Sequence, residues 1–276
     1  MDKKISHFKT SDNLSLEVQK YIQSDNPEKI ILIVHGHGEH AGRFHKVAEY
    51  FNEKGISVIA LTLRGHGNSE GKKGHAPSME QLLTDIEYFI RFVRVDYLKA
   101  EIYLYGHSMG GNIILNYLAK DQSNEITAGI ATSPWIKLAF DPPKWKVNLG
   151  NCVADIIPSL IQSSGLKAED ISSIKEEVEK YENDPLIHSK ISAKLFTSIT
   201  KGGEYLIHNT HKFKHKVFLA HGQQDKIISH EATAEFAKNS RIFTFKSYPK
   251  SKHEIHHDVD FEELMGDVLG WMEDKS

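Results

Sequence analysis

The run Gly106-His107-Ser108-Met109-Gly110 sets a serine between two glycines at the spacing of a nucleophile elbow. Ile102 to Tyr105 ahead of it reads as a buried strand. Ile113, Ile114, Leu115, Tyr117 and Leu118 behind it read as a helix. On so sharp a turn the serine backbone is strained and flanking side chains would collide, which is the use of the glycines. The turn lifts the hydroxyl toward a base and aims the first helical amides at the place where an oxyanion would form. A serine hydroxyl is a poor nucleophile at neutral pH and needs a base, and the base needs an orienting partner. Asp225 and His253 each follow an apolar stretch that reads as a sheet strand, so both should emerge at the edge where Ser108 emerges. A loop aspartate or histidine taken alone is usually just solvated. Three such residues at three strand ends, in the order Ser, Asp, His, are hard to obtain by chance. His253 would accept the Ser108 proton and return it to the leaving group, while Asp225 holds the imidazole tautomer and stabilises the imidazolium. Two backbone donors are expected to hold the oxyanion: the amide of Met109, just after the nucleophile, and the amide of His37, in the loop after the apolar run Ile30 to Val34.

The elements that would carry these residues follow from pattern. Ile5 to Phe8 and Leu14 to Ile22 read as two strands around Thr10-Ser11-Asp12-Asn13. Leu14, Leu16 and Val18 alternate with polar residues, which predicts one wet face. Ile30 to Val34 and Ile56 to Leu63 are continuous apolar runs of the kind buried on both faces of a sheet. Between them Phe44, Val47, Ala48 and Phe51 fall at helical spacing, ending near Lys54-Gly55. Leu82, Leu83, Ile86, Phe89, Ile90 and Val93 mark one face of a helix before the elbow strand, and Ala128 to Thr132 is a further strand. This alternation predicts an α/β fold with a mostly parallel central sheet and helices on both faces. From Trp135 to about His215 the rhythm breaks. Trp135, Ile136, Leu138, Phe140, Trp145, Val147 and Leu149 are interrupted by Asp141-Pro142-Pro143. Val153, Ile156, Ile157, Leu160 and Ile161 suggest a short apolar helix around Pro158. Ser172 to Tyr181 and Ala193 to Thr200 read as helices. The division expected is a core of residues 1–134 and 216–276, with a helical cap (lid), 135–215, inserted in it. Most apolar cap residues must pack the cap; a few are expected to line an acyl pocket. The sheet resumes at Lys216 to Ala220, then a helix (Ala232 to Ala237), a strand (Ile242 to Phe245) and a C-terminal helix with Val259, Phe261, Leu264, Val268, Leu269 and Met272.

Composition narrows the class. The 276 residues are 39% hydrophobic and 26% charged with a net charge of −3, ordinary for a soluble globular chain and without a basic patch for nucleic acid. The longest apolar run, Ile30 to Val34, is far too short to span a bilayer, and Met1 to Ser6 has no apolar leader core. The single cysteine, Cys152, allows no intrachain disulfide, so a reducing, cytoplasmic setting is expected. With 17 histidines, metal chemistry is a rival to weigh. His35, His37 and His40 cluster, as do His253, His256 and His257. No His-Glu-x-x-His helix is present and glycines break the first cluster, so no metal and no cofactor are expected.

Several motifs together carry a resemblance: His35-Gly36-x-Gly38-Glu39-His40-x-Gly42-Arg43, Arg64-Gly65-His66-Gly67-x-Ser69-x-Gly71, Gly106-His107-Ser108-Met109-Gly110-Gly111, His221-Gly222-x-x-Asp225, His253-Glu254 and, late in the cap, Asp184-Pro185-Leu186-Ile187. Over nearly the whole chain they resemble the monoacylglycerol lipase and lysophospholipase group of serine hydrolases. The resemblance implies an α/β-hydrolase fold, a movable cap and cofactor-free hydrolysis of monoacylglycerols or related single-chain esters through an acyl-enzyme, with transient membrane-surface contact through the cap. Two positions depart from the group's pattern. Thr62 stands where an aspartate is common before the Arg-Gly-His-Gly loop, and His37 where a small or apolar residue is frequent. Other chemistries of the same triad, namely thioesterase, peptidase or acyltransferase, and a binding protein on a hydrolase scaffold are the competing readings.

Overall fold

The structure, a computed structural model, describes residues 3–120, 125–141 and 154–274. Pro142, Pro143, Trp145, Val147, Leu149 and Val153, named above in the cap, lie outside the described residues. Eight strands form one sheet: β1 (Lys3–Lys9), β2 (Ser15–Tyr21), β3 (Lys29–Val34), β4 (Ser57–Leu61), β5 (Glu101–His107), β6 (Ala128–Thr132), β9 (Lys216–Gly222) and β10 (Phe243–Tyr248). Their order is β1-β2-β4-β3-β5-β6-β9-β10. β1 pairs antiparallel with β2, and β2 with β4. From β4 to β10 every pairing is parallel.

The apolar runs serve two layers at once because side chains alternate along a strand. Ile30, Leu32 and Val34 of β3 and Ile102 and Leu104 of β5 face one core, which includes α2 (Met79–Asp96) and α3 (Met109–Lys120). Ile31, Ile33, Tyr103 and Tyr105 face the other, packed by α1 (His45–Glu53) and α7 (Phe261–Glu273). α6 (His230–Lys238) covers the β9–β10 side. Each fully buried leucine or isoleucine here contributes roughly 1.5–3 kcal/mol. Among the described residues no helix is long and apolar enough to cross a membrane.

Three local expectations are corrected. β2 has no wet face: Glu17, Gln19 and Lys20 are buried. Gln19 and Asn68 donate to the Glu17 carboxylate, while Lys20 pairs with Asp96 at 3.0 Å and lies over the Phe92 ring. Between 135 and 215 the chain is not helical alone. A small antiparallel pair, β7 (Ile161–Ser163) with β8 (Lys190–Ser192), joins α4 (Lys175–Asn183) and α5 (Ala193–His208). Of the apolar helix expected around Pro158, the described residues show Ala154 to Ile156 as helical and then a turn into β7, and Ile156, Ile157 and Leu160 are exposed. Pro158 blocks continuation of a helix, and β-branched Ile161 opens the strand.

Candidate active site

Ser108 sits at the tip of β5, where the chain enters α3, with φ of +51°. For a serine that left-handed backbone costs about 1–3 kcal/mol, and the flanking glycines are what make it reachable. A Cβ at Gly106 would lie 2.5 Å from the Gly110 carbonyl oxygen, and one at Gly110 would lie 2.1 Å from that of Val34. The turn is clamped from outside: the Ser108 amide donates to Thr132 O, and the Ser108 carbonyl accepts from Asn112 and Trp135.

Asp225 follows β9 and His253 follows β10. His253 Nδ1 meets Asp225 Oδ2 at 2.7 Å. The same carboxylate is fixed by the Ile227 and Ile228 amides at 2.8 and 3.0 Å and by His221 Nε2 at 3.0 Å. Burial alone would raise the Asp225 pKa, but His253 and His221 hold it far below the usual carboxylate range. Burial likewise opposes the His253 imidazolium, and the Asp225 charge and hydrogen bond overcome it, so its pKa lies above the ordinary value of 6.5. Ser133, at φ of +43°, donates its hydroxyl to the His253 carbonyl at 2.7 Å and so fixes the backbone of that loop.

Ser108, His253 and His37 line one cavity of about 270 Å³, together with Ile228 and with Trp135, Leu138, Tyr181, Ile191 and Phe196 of the stretch 135–215. A larger groove of about 1070 Å³ lies at the opposite end of the strands, around Lys29, Glu101 and Trp271, and contains none of these groups. At the turn after β3 the Gly36 amide is taken by Glu39 Oε1 at 2.6 Å, and His37, the residue expected to offer an oxyanion amide, follows directly. The Met109 amide opens α3 directly after Ser108.

The structure adds residues whose roles were unassigned. Arg43 makes a bidentate pair with Glu254 at 2.6 and 2.8 Å, reaches Glu39 at 3.1 Å and lies over the Tyr181 ring. It ties the loop after β3, the loop bearing His253 and α4 together. Burial would raise the Glu254 pKa, but Arg43 drives it well below its usual range; burial, with Glu254 nearby, leaves Glu39 raised. The i,i+4 spacing of Glu39 and Arg43 was a signal in the sequence; the pairing with Glu254, 211 positions away, was not. Glu254, His256 and His257 do bring possible metal ligands together. Yet Arg43 already supplies the positive charge there, and His257 Nε2 is bound to the Arg43 carbonyl. Thr62, the departure noted above, accepts weakly from the Ala41 amide at 3.3 Å. The loop after it is braced instead by Arg64, which pairs with buried Asp85 and with Asp12, and by Ser69 bonded to Thr62 O.

Comparison with known proteins agrees with this geometry. A family model described as serine aminopeptidase, S33 matches residues 25–260. A monoacylglycerol lipase of Mycolicibacterium smegmatis is 26% identical over 250 residues, covering 90% of this chain and 89% of that protein. An uncharacterized abhydrolase domain-containing protein of Dictyostelium discoideum is 32% identical over 278 residues; the match takes in 100% of this chain but 29% of that much longer relative. Among solved structures, a Paleococcus ferrophilus monoacylglycerol lipase superposes with a TM-score of 0.83 at 28% identity, covering 99% of this chain and 98% of the other. A Saccharomyces cerevisiae monoglyceride lipase variant, in complex with a substrate analog, superposes with a TM-score of 0.87 at 21% identity over 99% and 96% of the two chains. With the family model matching most of its length, this chain belongs to the serine aminopeptidase, S33 family of hydrolases and has the α/β-hydrolase fold.

Proposed function

We propose that this protein is a serine hydrolase of carboxylic esters carried on a single acyl chain, monoacylglycerol-like or lysophospholipid-like, working through an acyl-enzyme on Ser108. His253 removes the Ser108 proton as the hydroxyl attacks the ester carbonyl and delivers it to the departing alcohol. Water then repeats the sequence on the acyl-enzyme. Asp225 stabilises the imidazolium, and the amides of His37 and Met109 hold the oxyanion. The observation that carries this reading is the 2.7 Å bond of His253 Nδ1 to Asp225, in a cavity shared with Ser108.

We assign residues 135–215 as a cap over a core of 1–134 and 216–276. Support for an acyl pocket comes from Trp135 and Phe196, which meet edge to face at 5.7 Å within the cap and line the cavity with Leu138 and with Ile228 of the core. An ester is favoured over a peptide with a free amino end because two of the cavity's three carboxylates, Glu39 and Glu254, are committed to Arg43, which leaves Asp170 alone to receive an ammonium. The relatives named as monoacylglycerol and monoglyceride lipases support the same substrate class. Exposed Phe140, Ile156, Ile157 and Leu160 give the cap an apolar surface suited to transient contact with a lipid layer. The single cysteine is in keeping with a cytoplasmic setting.

A turnover panel tests the assignment. Monoacylglycerols, lysophospholipids and simple acyl esters are compared with acyl thioesters and aminoacyl amides. Hydrolysis of single-chain esters well above the amides is expected. Amide turnover exceeding ester turnover would overturn the substrate class.

A further inference from the structure

We propose that His188, a residue of the cap segment, is a positioning residue for the oxyanion hole, so that seating of the cap and completion of the hole are one event. The proposal rests on the reading of the His37 amide as an oxyanion donor.

The loop that carries this amide has little side chain with which to hold itself, since residues 36, 38 and 42 are all glycine. Its first residue is fixed within the core, by Glu39 on the Gly36 amide and by His35 Nδ1, which donates to Gly36 O at 2.7 Å. Its far side is fixed by His188, whose amide donates to Gly38 O at 3.0 Å. Gly38 has φ of +82°, and a Cβ there would stand 2.4 Å from the His188 carbonyl oxygen. The His188 backbone therefore occupies the space that a side chain at 38 would need.

The His188 ring extends the same contact. Its Nε2–H donates to Gly65 O at 3.1 Å, which fixes the tautomer. The ring packs on His66 with centroids 4.9 Å apart and on His37 at 5.9 Å, while His37 and His66 meet at 5.7 Å. With His35, whose ring meets His66 at 5.3 Å, four imidazoles from three separate segments form one packed cluster around the loop that carries the oxyanion amide. Both ring nitrogens of His37 and one each of His66 and His188 have no hydrogen-bond partner. These nitrogens do not converge as a ligand set, so the cluster is a packing device and not a metal cage. An oxyanion donor must sit about 2.7–3.1 Å from the developing oxygen, and a shift of about 1 Å can cost about a hundredfold in rate. Loss of this contact should therefore act on the transition state and leave ground-state binding nearly unchanged.

The test uses the full chain with His188→Ala, His188→Leu and His188→Gln. Each is measured on a short, soluble ester, to reduce the part played by the acyl pocket, and with a trifluoromethyl ketone, whose serine adduct carries the oxyanion. The alanine and leucine variants should lose about ten- to hundredfold in kcat with KM nearly unchanged, and the trifluoromethyl ketone should weaken by the same factor. Glutamine, with its amide near the place of Nε2, should recover most of both. If the alanine variant does not fold, the leucine and glutamine variants carry the comparison. A folded leucine variant with unchanged kcat and inhibitor affinity overturns the proposal, as does a change confined to KM. Failure of the trifluoromethyl ketone to inhibit the unaltered protein would instead count against the underlying serine-hydrolase reading.

Discussion

At the scale of single residues, the proposed chemistry depends on a charge held on a buried pair, Asp225 and His253. His253 must be neutral to act as base, and Asp225 raises its pKa above the ordinary value of 6.5 despite burial. The acid limb of kcat/KM is therefore expected above pH 6.5, with activity rising as pH climbs through the His253 pKa. Asp225→Asn removes the charge, so the limb should move to lower pH while turnover falls by about 10⁴. A pH–rate profile with an unmoved limb would contradict the assignment. The stability sign is the reverse for the two partners. The raised His253 pKa stabilises the fold fully below its unfolded value and is lost as pH rises through the folded one. The depressed Asp225 pKa stabilises above about 3.9 and is lost as pH falls toward its folded value. The placing of Ser108, Asp225, His253, His37 and Met109 at strand ends and turns was legible in the sequence, because each has its own local pattern. His221 and Ser133, which brace the triad, were not. A buried histidine inside β9 and a serine after β6 look like any strand-end residues until the backbone brings Asp225 and the His253 carbonyl beside them.

At the scale of elements, two junctions hold the site. The first is the crossing of α3 over β3. Gly110→Ala would drive a Cβ into the carbonyl oxygens of Val34 and His35, at 2.1 and 2.4 Å, and backbone on backbone cannot yield. Chemical denaturation should show a loss at or beyond the upper end of the usual overpacking range, about 1–3 kcal/mol. Gly270→Ala in α7, where nothing lies within 4 Å, is the control and should be neutral or stabilising by up to about 1 kcal/mol. Equal effects would mean that the elbow is not close-packed. The second junction is Arg43. Arg43→Met leaves Glu39 and Glu254 buried without their cation and should cost about 3–5 kcal/mol by the same measurement, far more than an exposed ion pair. The parallel strands were readable as apolar runs because both their faces are covered. The β7–β8 pair was not, since two three-residue strands 29 positions apart at their nearer starts carry no period to detect. The burial of Glu17 was hidden for a similar reason, as the folded loop from 62 to 70 brings it Asn68 and the Ser69 hydroxyl.

For the whole molecule, the sheet supplies a fixed edge, and the proposed cap would lie above it. Under that division Trp135 and Phe196 of the cap share the cavity wall with Ile228 and His253 of the core. Phe196→Ala should reduce the preference for long-chain over acetyl esters by about tenfold, as expected for loss of part of an apolar pocket, and leave acetyl turnover close to normal. An unchanged ratio of kcat/KM values across chain lengths would place the acyl chain elsewhere. The point after β6 where strand-helix alternation stops was visible in the sequence. The way the insertion is seated was not, because the His40–Asp184 pair and the contact of His188 with Gly38 join residues more than a hundred positions apart. The central claim is that Ser108 is the nucleophile, and it is tested most directly by treating the protein with a fluorophosphonate and mapping the adduct by peptide mass spectrometry. One adduct, on the peptide containing Ser108, lost in Ser108→Ala together with ester turnover, is the predicted result. Turnover retained in Ser108→Ala, or an inactivating adduct on another residue, would contradict it.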